Sequence, residues 1–260
     1  MLALSLPARY PVVLAVAFDL ILNMALPANQ NVATEHSIGE WIAANTPAQS
    51  TLATVNIGAL AYYAQRPVID LSGKLQITPF DKDFFLRTAP DTIVLDESPS
   101  IVWAGFKTTY SRQYSVGGLA VYRRVVNFTP LLPVLRGDQL FAGNLGRSDL
   151  RLQSFAVASS ANPGDLIRVR LDWQLAHAPT REIDIALTLR DSTGGLVAQS
   201  LDKLPTGAWH LGSISTYHAL VLPGNTPEEA LTLKLSVAYS NGDLGSQDIA
   251  TLMVVKPPAP

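Results

Sequence analysis

The sequence predicts an α/β plus all-β architecture. An N-terminal membrane helix comes first, then a small, mainly parallel α/β domain, then an antiparallel β-sandwich of immunoglobulin-like or jelly-roll type. Three observations predict it. Pro11 to Leu26 is an apolar run approaching the roughly 20 residues that span a bilayer. Between 33 and 126, short β-branched runs alternate with short helical stretches, the rhythm of strands covered on both faces. Between 130 and 260, several segments alternate strictly between apolar and polar residues, as half-buried strands do. The expected divisions are therefore 1–30, 33–126 and 130–260.

Composition narrows the function classes. The chain has 260 residues, 48% apolar and 15% charged, with 19 basic against 21 acidic residues and no cysteine. That much apolar material builds packed cores and argues against disorder or a coiled coil. Without cysteine there is no disulfide, thiolate nucleophile or Cys-ligated zinc. Neither half carries the Lys/Arg excess that phosphate backbones demand, so nucleic acid is not an expected partner.

The apolar N-terminal tract admits three readings: a retained membrane helix, a signal peptide and a buried helix of a soluble fold. Asp19 lies in mid-segment, where an ionised carboxylate costs roughly 2.5–3.5 kcal/mol on insertion scales, and Pro7, Arg9 and Pro11 interrupt its front. Intramembrane carboxylates normally face other helices, so a retained helix implies partner membrane helices. A signal peptide ranks second, because a cut after Ala28 places Leu26 where a small residue belongs. With the helix retained, Arg9 marks its cytoplasmic end and everything after about residue 30 is extracytoplasmic.

In the α/β part, Ser37 and Glu40 fit a capping box, with Ile38, Trp41 and Ile42 on one face of the helix that follows and Asn45-Thr46-Pro47 ending it. Thr51 to Val55 reads as a strand, Gly58 opens a brief helix through Tyr63, and Pro67 to Leu71 is a second strand stopped by Ser72-Gly73. A helix over 80–89, a third strand over 91–95 and a last one over 119–125 complete it. Pro130, Pro133 and the loop-rich stretch 136–148 separate this part from the next. There, Ile167, Val169, Leu171 and Trp173 share a face, as do Ile183 to Leu189 at alternate positions and Leu231 to Tyr239 likewise. Asp191 to Gly195 is a hairpin loop leading to Leu196-Val197-Ala198, 240–243 turns the chain, and 249–255 returns it.

Few residues carry candidate chemistry. Asp70, Ser72 and Gly73 sit at the carboxyl end of a strand, where open α/β sheets place ligands; the alternative is that Asp70 satisfies backbone N–H groups of a turn. Trp209, His210, Tyr217 and His218 are candidates for saccharide contact, since a flat ring stacks on the apolar face of a sugar. For Trp209 the favoured alternative is a plug over one end of the sandwich, whereas Trp173 continues an inward face and reads as core. No cofactor is expected: Asn56-Ile57-Gly58 holds one glycine where a dinucleotide fingerprint needs three, and no Walker lysine follows. The histidines at 36, 177, 210 and 218 form no zinc pattern, and there is no Gly-x-Ser-x-Gly elbow, so no metal or catalytic residue is assigned.

The order Trp41-Ile42-Ala43-Ala44-Asn45-Thr46-Pro47, Ile57-Gly58-Ala59-Leu60-Ala61-Tyr62-Tyr63, Val68-Ile69-Asp70-Leu71-Ser72-Gly73 and Ala89-Pro90-Asp91-Thr92-Ile93-Val94-Leu95 resembles the extracytoplasmic region after the last membrane helix of bacterial GT-C type glycosyltransferases. The resemblance covers about residues 10 to 126. More loosely, Pro163-Gly164-Asp165, Leu171-Asp172-Trp173, Leu189-Arg190-Asp191, Gly194-Gly195, Trp209 and Leu222-Pro223 resemble β-modules appended to such transferases. The resemblance implies a membrane-tethered, non-catalytic tail that positions or recognises a saccharide or a lipid-linked sugar acceptor. The family's catalytic carboxylate has no counterpart among these residues, so no catalytic role is carried over. The alternative expectation is an independent secreted or anchored binding module unrelated to sugar transfer.

Overall fold

The structure, a computed structural model, describes residues 30–72, 81–97, 105–134, 139–142, 149–175, 182–204, 212–239 and 242–256. The tract expected to cross a membrane lies outside the described residues. Among those described, no helix is long and apolar enough to cross one. The described residues form two compact units, the first drawn from 1–77, 91–99 and 112–122 and the second from 78–90, 100–111 and 123–260.

The first unit holds helix α1 (Gln30–Asn45), strand β1 (Leu52–Thr54), helix α2 (Ala59–Ala64), strands β2 (Val68–Asp70) and β3 (Thr92–Asp96), and the greater part of β4 (Tyr110–Val116) and β5 (Leu119–Arg124). The sheet runs β2-β1-β3-β5-β4. Ile38 and Ile42 of α1 pack with Leu60 and Ala64 of α2 over Leu52, Val94 and Val121. Gly39 lets the two helices close together, because a Cβ there would stand 2.6 Å from that of Tyr63.

Two expectations fail here. The sheet is mixed rather than mainly parallel: β1 runs parallel to both β2 and β3, but β4 and β5 are joined by Gly117-Gly118 alone and can pair only antiparallel. Both glycines have positive φ, +58° and +83°, the requirement of a tight hairpin turn. The capping box is also wrong. Ser37 is interior to α1 and its hydroxyl donates back to the Ala33 carbonyl at 3.1 Å, while Glu40 pairs with His36 at 3.0 Å.

The second unit begins with helix α3 (Lys82–Thr88), whose N-cap Asp81 accepts from the Phe84 N–H at 2.9 Å, and helix α4 (Phe106–Thr109). Strands β6 (Pro133–Val134), β7 (Gln139–Ala142), β8 (Asp149–Val157), β10 (Leu166–Leu175) and β13 (Gly212–Val221) form one sheet, ordered β13-β10-β8-β6 with β7 also on β8. Strands β9 (Ser160–Ala161), β11 (Ile183–Arg190), β12 (Leu196–Leu204), β14 (Ala230–Tyr239) and β15 (Gly242–Val254) form the other, ordered β12-β11-β14-β15-β9. One apolar cluster joins both sheets, with Trp173 fully buried in it beside Leu171, Ile185, Leu187, Leu233 and Leu235. The sandwich is therefore present, though not wholly antiparallel, since β9 pairs parallel with β15. Apart from α1 the helices are short, and the described chain is mostly β, which corrects the expected α/β plus all-β class. The Asp191 turn is held as a hairpin loop demands, its Oδ1 accepting from the Thr193 and Gly195 N–H groups at 2.9 and 2.8 Å.

Candidate functional site at the open edge of the sandwich

The residues singled out in the sequence do not assemble into one site. Asp70 ends β2 and is buried, with Oδ1 accepting from the Ser72 N–H at 2.7 Å and from the Ser72 hydroxyl at 2.6 Å. That is an Asx turn, the structural alternative for this carboxylate. Gly73, Trp209 and His210 lie outside the described residues. Tyr217 lies half-buried on β13, opposite Arg170 of β10, and its backbone N–H is taken by the carboxylate of Asp83 on α3. His218, the next residue, points the other way and is fully buried.

Around His218 the structure gathers residues that sequence reasoning missed. Strands β12 and β13 are the edge strands of the two sheets. The space between their inward side chains is bridged by polar groups. His218 Nδ1 lies 2.5 Å from Oδ2 of Asp202 on β12, and His218 Nε2 lies 2.9 Å from Thr216 Oγ1. Trp173 Nε1 donates to the same Thr216 oxygen at 3.0 Å, and Lys82 Nζ meets Asp202 Oδ1 at 2.6 Å.

The direction of this chain follows from its ends. An indole N–H only donates and an ionised carboxylate only accepts. Trp173 therefore gives to Thr216, the Thr216 hydroxyl gives to Nε2, and Nδ1–H gives to Asp202, so a neutral imidazole satisfies every atom. Burial pushes the His218 pKa down, and the nearby Lys82 charge adds to this against the pull of Asp202. Burial alone would raise the Asp202 carboxyl, but the hydrogen bond from His218 and the Lys82 ammonium override it and hold it at about 2. Asp83 goes the other way: burial raises it to about 6, against the opposing Lys82 charge and the Tyr217 N–H.

Beside the network opens a cavity of about 360 Å³. Lys82, Gln199, Ser200 and Asp202 supply ammonium, carboxamide, hydroxyl and carboxylate, and Leu201 and Val221 supply apolar carbon. Leu201 is 65% and Val221 47% exposed, so their carbon is accessible at the cavity. An Asp–His–hydroxyl chain has the composition of a proton relay, but here it ends on Thr216, buried inside the sandwich and already receiving the indole N–H. At the cavity itself the Ser200 hydroxyl donates to Asp202 Oδ2 at 3.5 Å, so among the described residues the network joins the two edge strands and forms one wall of the cavity. The readable signal was the polar interruption of inward positions: Ser200 and Asp202 on one strand, Thr216 and His218 on the other. Among the described residues no group of three or more His, Cys, Asp or Glu side chains is placed to hold a metal.

Residues 22–141 match a protein family described as a domain of unknown function, DUF8728. No curated protein matches the chain in sequence. Among solved structures, the chain is similar to a β-glucuronidase from glycoside hydrolase family 2, at 16% identity and TM-score 0.30, covering 52% of this chain and 13% of that one. It is similar in the same degree to a glycosyl hydrolase family 2 member from Bacteroides cellulosilyticus, at 12% identity and TM-score 0.30, covering 52% and 16%. The C-terminal domain of wzt is similar at 9% identity and TM-score 0.33, covering 42% of this chain and 75% of that one.

Proposed function

We propose that the chain is a non-catalytic, extracytoplasmic tail of a membrane glycosyltransferase that recognises a saccharide or a lipid-linked sugar acceptor at the open sandwich edge. The apolar tract ending at Leu26 is the membrane tether, and other membrane helices of the transferase are its partners there. The observation that carries the reading is the composition of the edge cavity. A sugar ring offers hydroxyls and an apolar face, and this cavity offers Gln199, Ser200 and the Lys82–Asp202 pair together with the exposed carbons of Leu201 and Val221. The termination of the His218 chain on a buried threonine supports recognition without chemistry, and the GT-C resemblance of residues 10 to 126 supports the link to sugar transfer.

Calorimetric titration of the full chain with a panel of oligosaccharides tests the reading. Gln199→Ala and Ser200→Ala are each expected to weaken binding about tenfold, the value of one lost hydrogen bond to a hydroxyl. Equal affinity in both variants, or turnover of any glycosidic or phosphosugar compound by the purified chain, overturns it. Cell fractionation separates the tethered reading from the alternative of an independent binding module, since release of the intact chain into the soluble phase removes the tether.

A further inference from the structure

The first unit holds a second cavity, of about 340 Å³, whose place follows from the strand order. The chain leaves β1 for β2 on one side and comes back to β3 on the other, and β1 is parallel to both. Where connections diverge in this way, a crevice opens beyond the carboxyl ends of the two strands, the usual ligand position in sheets with parallel strands. Asn56 stands two residues past the end of β1 and Asp96 is the last residue of β3, and both line the cavity. Thr34 and Glu35 line it from α1, and the Gly117-Gly118 turn lines it as well. That turn is pressed against α1: a Cβ on Gly117 would collide with Thr34 Oγ1 and lie 2.8 Å from its Cγ2. The cavity is therefore shaped by close packing within the unit, not by a loose loop.

Its chemistry is one-sided. Glu35 and Asp96 have no ion-pair or hydrogen-bond partner among the described residues, and no basic side chain lines the cavity. The Asn56 backbone N–H is satisfied by Thr54 Oγ1 at 3.1 Å, which leaves its carboxamide for a ligand. The two carboxylates, the carboxamides of Asn31 and Asn56 and the Thr34 hydroxyl line the cavity, and this set accepts from ammonium and hydroxyl donors and disfavours phosphate. The volume exceeds that of a bare ion and suits a ring-sized molecule.

We propose that this crevice binds a hydroxylated amine, a ring-sized polyol bearing an ammonium group, with Glu35 and Asp96 facing the cation and Thr34 and Asn56 taking hydroxyls. The site lies in the first unit and stands independently of the sandwich-edge cavity.

Amide chemical shifts of the full chain, titrated in parallel with glucosamine, glucose and glucose 6-phosphate, test it. Glucosamine is expected to shift the amides of Asn56, Gly117 and Gly118, glucose to do so about tenfold more weakly, and glucose 6-phosphate to leave them unmoved. Glu35→Gln and Asp96→Asn, conservative changes at solvent-accessible positions, are expected to erase the preference for the amine, and added salt to weaken it. Binding of the phosphate as strongly as the amine, an amine preference unchanged in both variants, or no shift at these amides overturns the proposal. Shifts confined to Ser200, Leu201 and Asp202 overturn it while leaving the sandwich-edge reading intact, and loss of binding at those residues alone does the reverse.

Discussion

Asp83 gives the clearest quantitative handle on the sandwich edge. Its carboxyl lies on the first turn of α3, accepts the Tyr217 N–H and sits 3.9 Å from Lys82 Nζ, yet burial raises its pKa from 3.8 to about 6. In the unfolded chain the group ionises near pH 4 and in the folded chain near pH 6. Folding therefore grows less favourable as pH rises between those values, and the cost is complete above about pH 6. At about 1.4 kcal/mol per pH unit the cost would reach about 3 kcal/mol. The side chain is 31% exposed, so solvent screening reduces this to about 1–2 kcal/mol. Asp83→Asn keeps an oxygen for the Tyr217 N–H and removes the charge. It is expected to stabilise the protein by that amount at pH 8 and to leave it unchanged at pH 4. Urea denaturation at both pH values, followed by tryptophan fluorescence, measures the difference. A variant no more stable than the parent at pH 8, or stabilised equally at both, refutes the burial argument.

Other perturbations probe the same framework. Asp202, held at about 2 against an ordinary 3.8, contributes stability that is full above about pH 4 and lost as pH falls through 2; Asp202→Ala is expected to cost about 2–3 kcal/mol at pH 7 by urea denaturation, with a flatter acid limb. Gly117→Ala combines a positive φ with the collision against Thr34 and is expected to cost about 2–3 kcal/mol, whereas Gly118→Ala, with nothing within 4 Å, pays only for its φ, about 1 kcal/mol. Equal melting temperatures for the two glycine variants would contradict the close packing of the turn on α1. Trp173→Phe removes the indole donor to Thr216 from a fully buried site and is expected to cost about 1–3 kcal/mol, read by calorimetry.

The parts of the fold that were legible in the sequence are those where burial alternates without interruption. On β10, β11 and β14 the inward positions are almost all Ile, Val, Leu or Trp, and the period of two marks the strands. Strand β13 reads Ser-Ile-Ser-Thr-Tyr-His, and its inward positions include Thr216 and His218; the extension of β12 places Ser200 and Asp202 inward likewise. Polar residues there erase the alternation, so the strand is hidden by the same side chains that make the edge network. Sites and failures of local reasoning coincide for this reason. The mixed sheet escaped for a different one. Tyr110, Tyr114 and Val116 alternate on β4, but Arg112 and Gln113 dilute the pattern, and the Gly117-Gly118 turn that reverses the chain reads equally as an isolated loop. The Asp70 turn was legible in kind, since Asp followed two residues later by Ser is how such turns are written.

The edge network also bears on why a sandwich tolerates an open side. Strands β12 and β13 belong to different sheets, and among the described residues no backbone ladder joins them. An apolar filling would bury more surface but accept many spacings. The chain from Trp173 through Thr216 and His218 to Asp202 accepts one, because each donor has a single acceptor. Its members should then be strongly coupled. His218→Leu takes one hydrogen bond from the Asp202 carboxylate, which keeps Lys82, at a cost of about 1–2 kcal/mol, and Asp202→Leu strands the His218 N–H in the core at about 3 kcal/mol. The double variant leaves neither group unpaired, and Lys82, partly exposed, turns to solvent. Its cost is expected to fall short of the sum of the singles by about 2 kcal/mol in a double-mutant cycle. Additive costs would mean that the two residues act separately and that the spacing of the edge strands is set by packing alone.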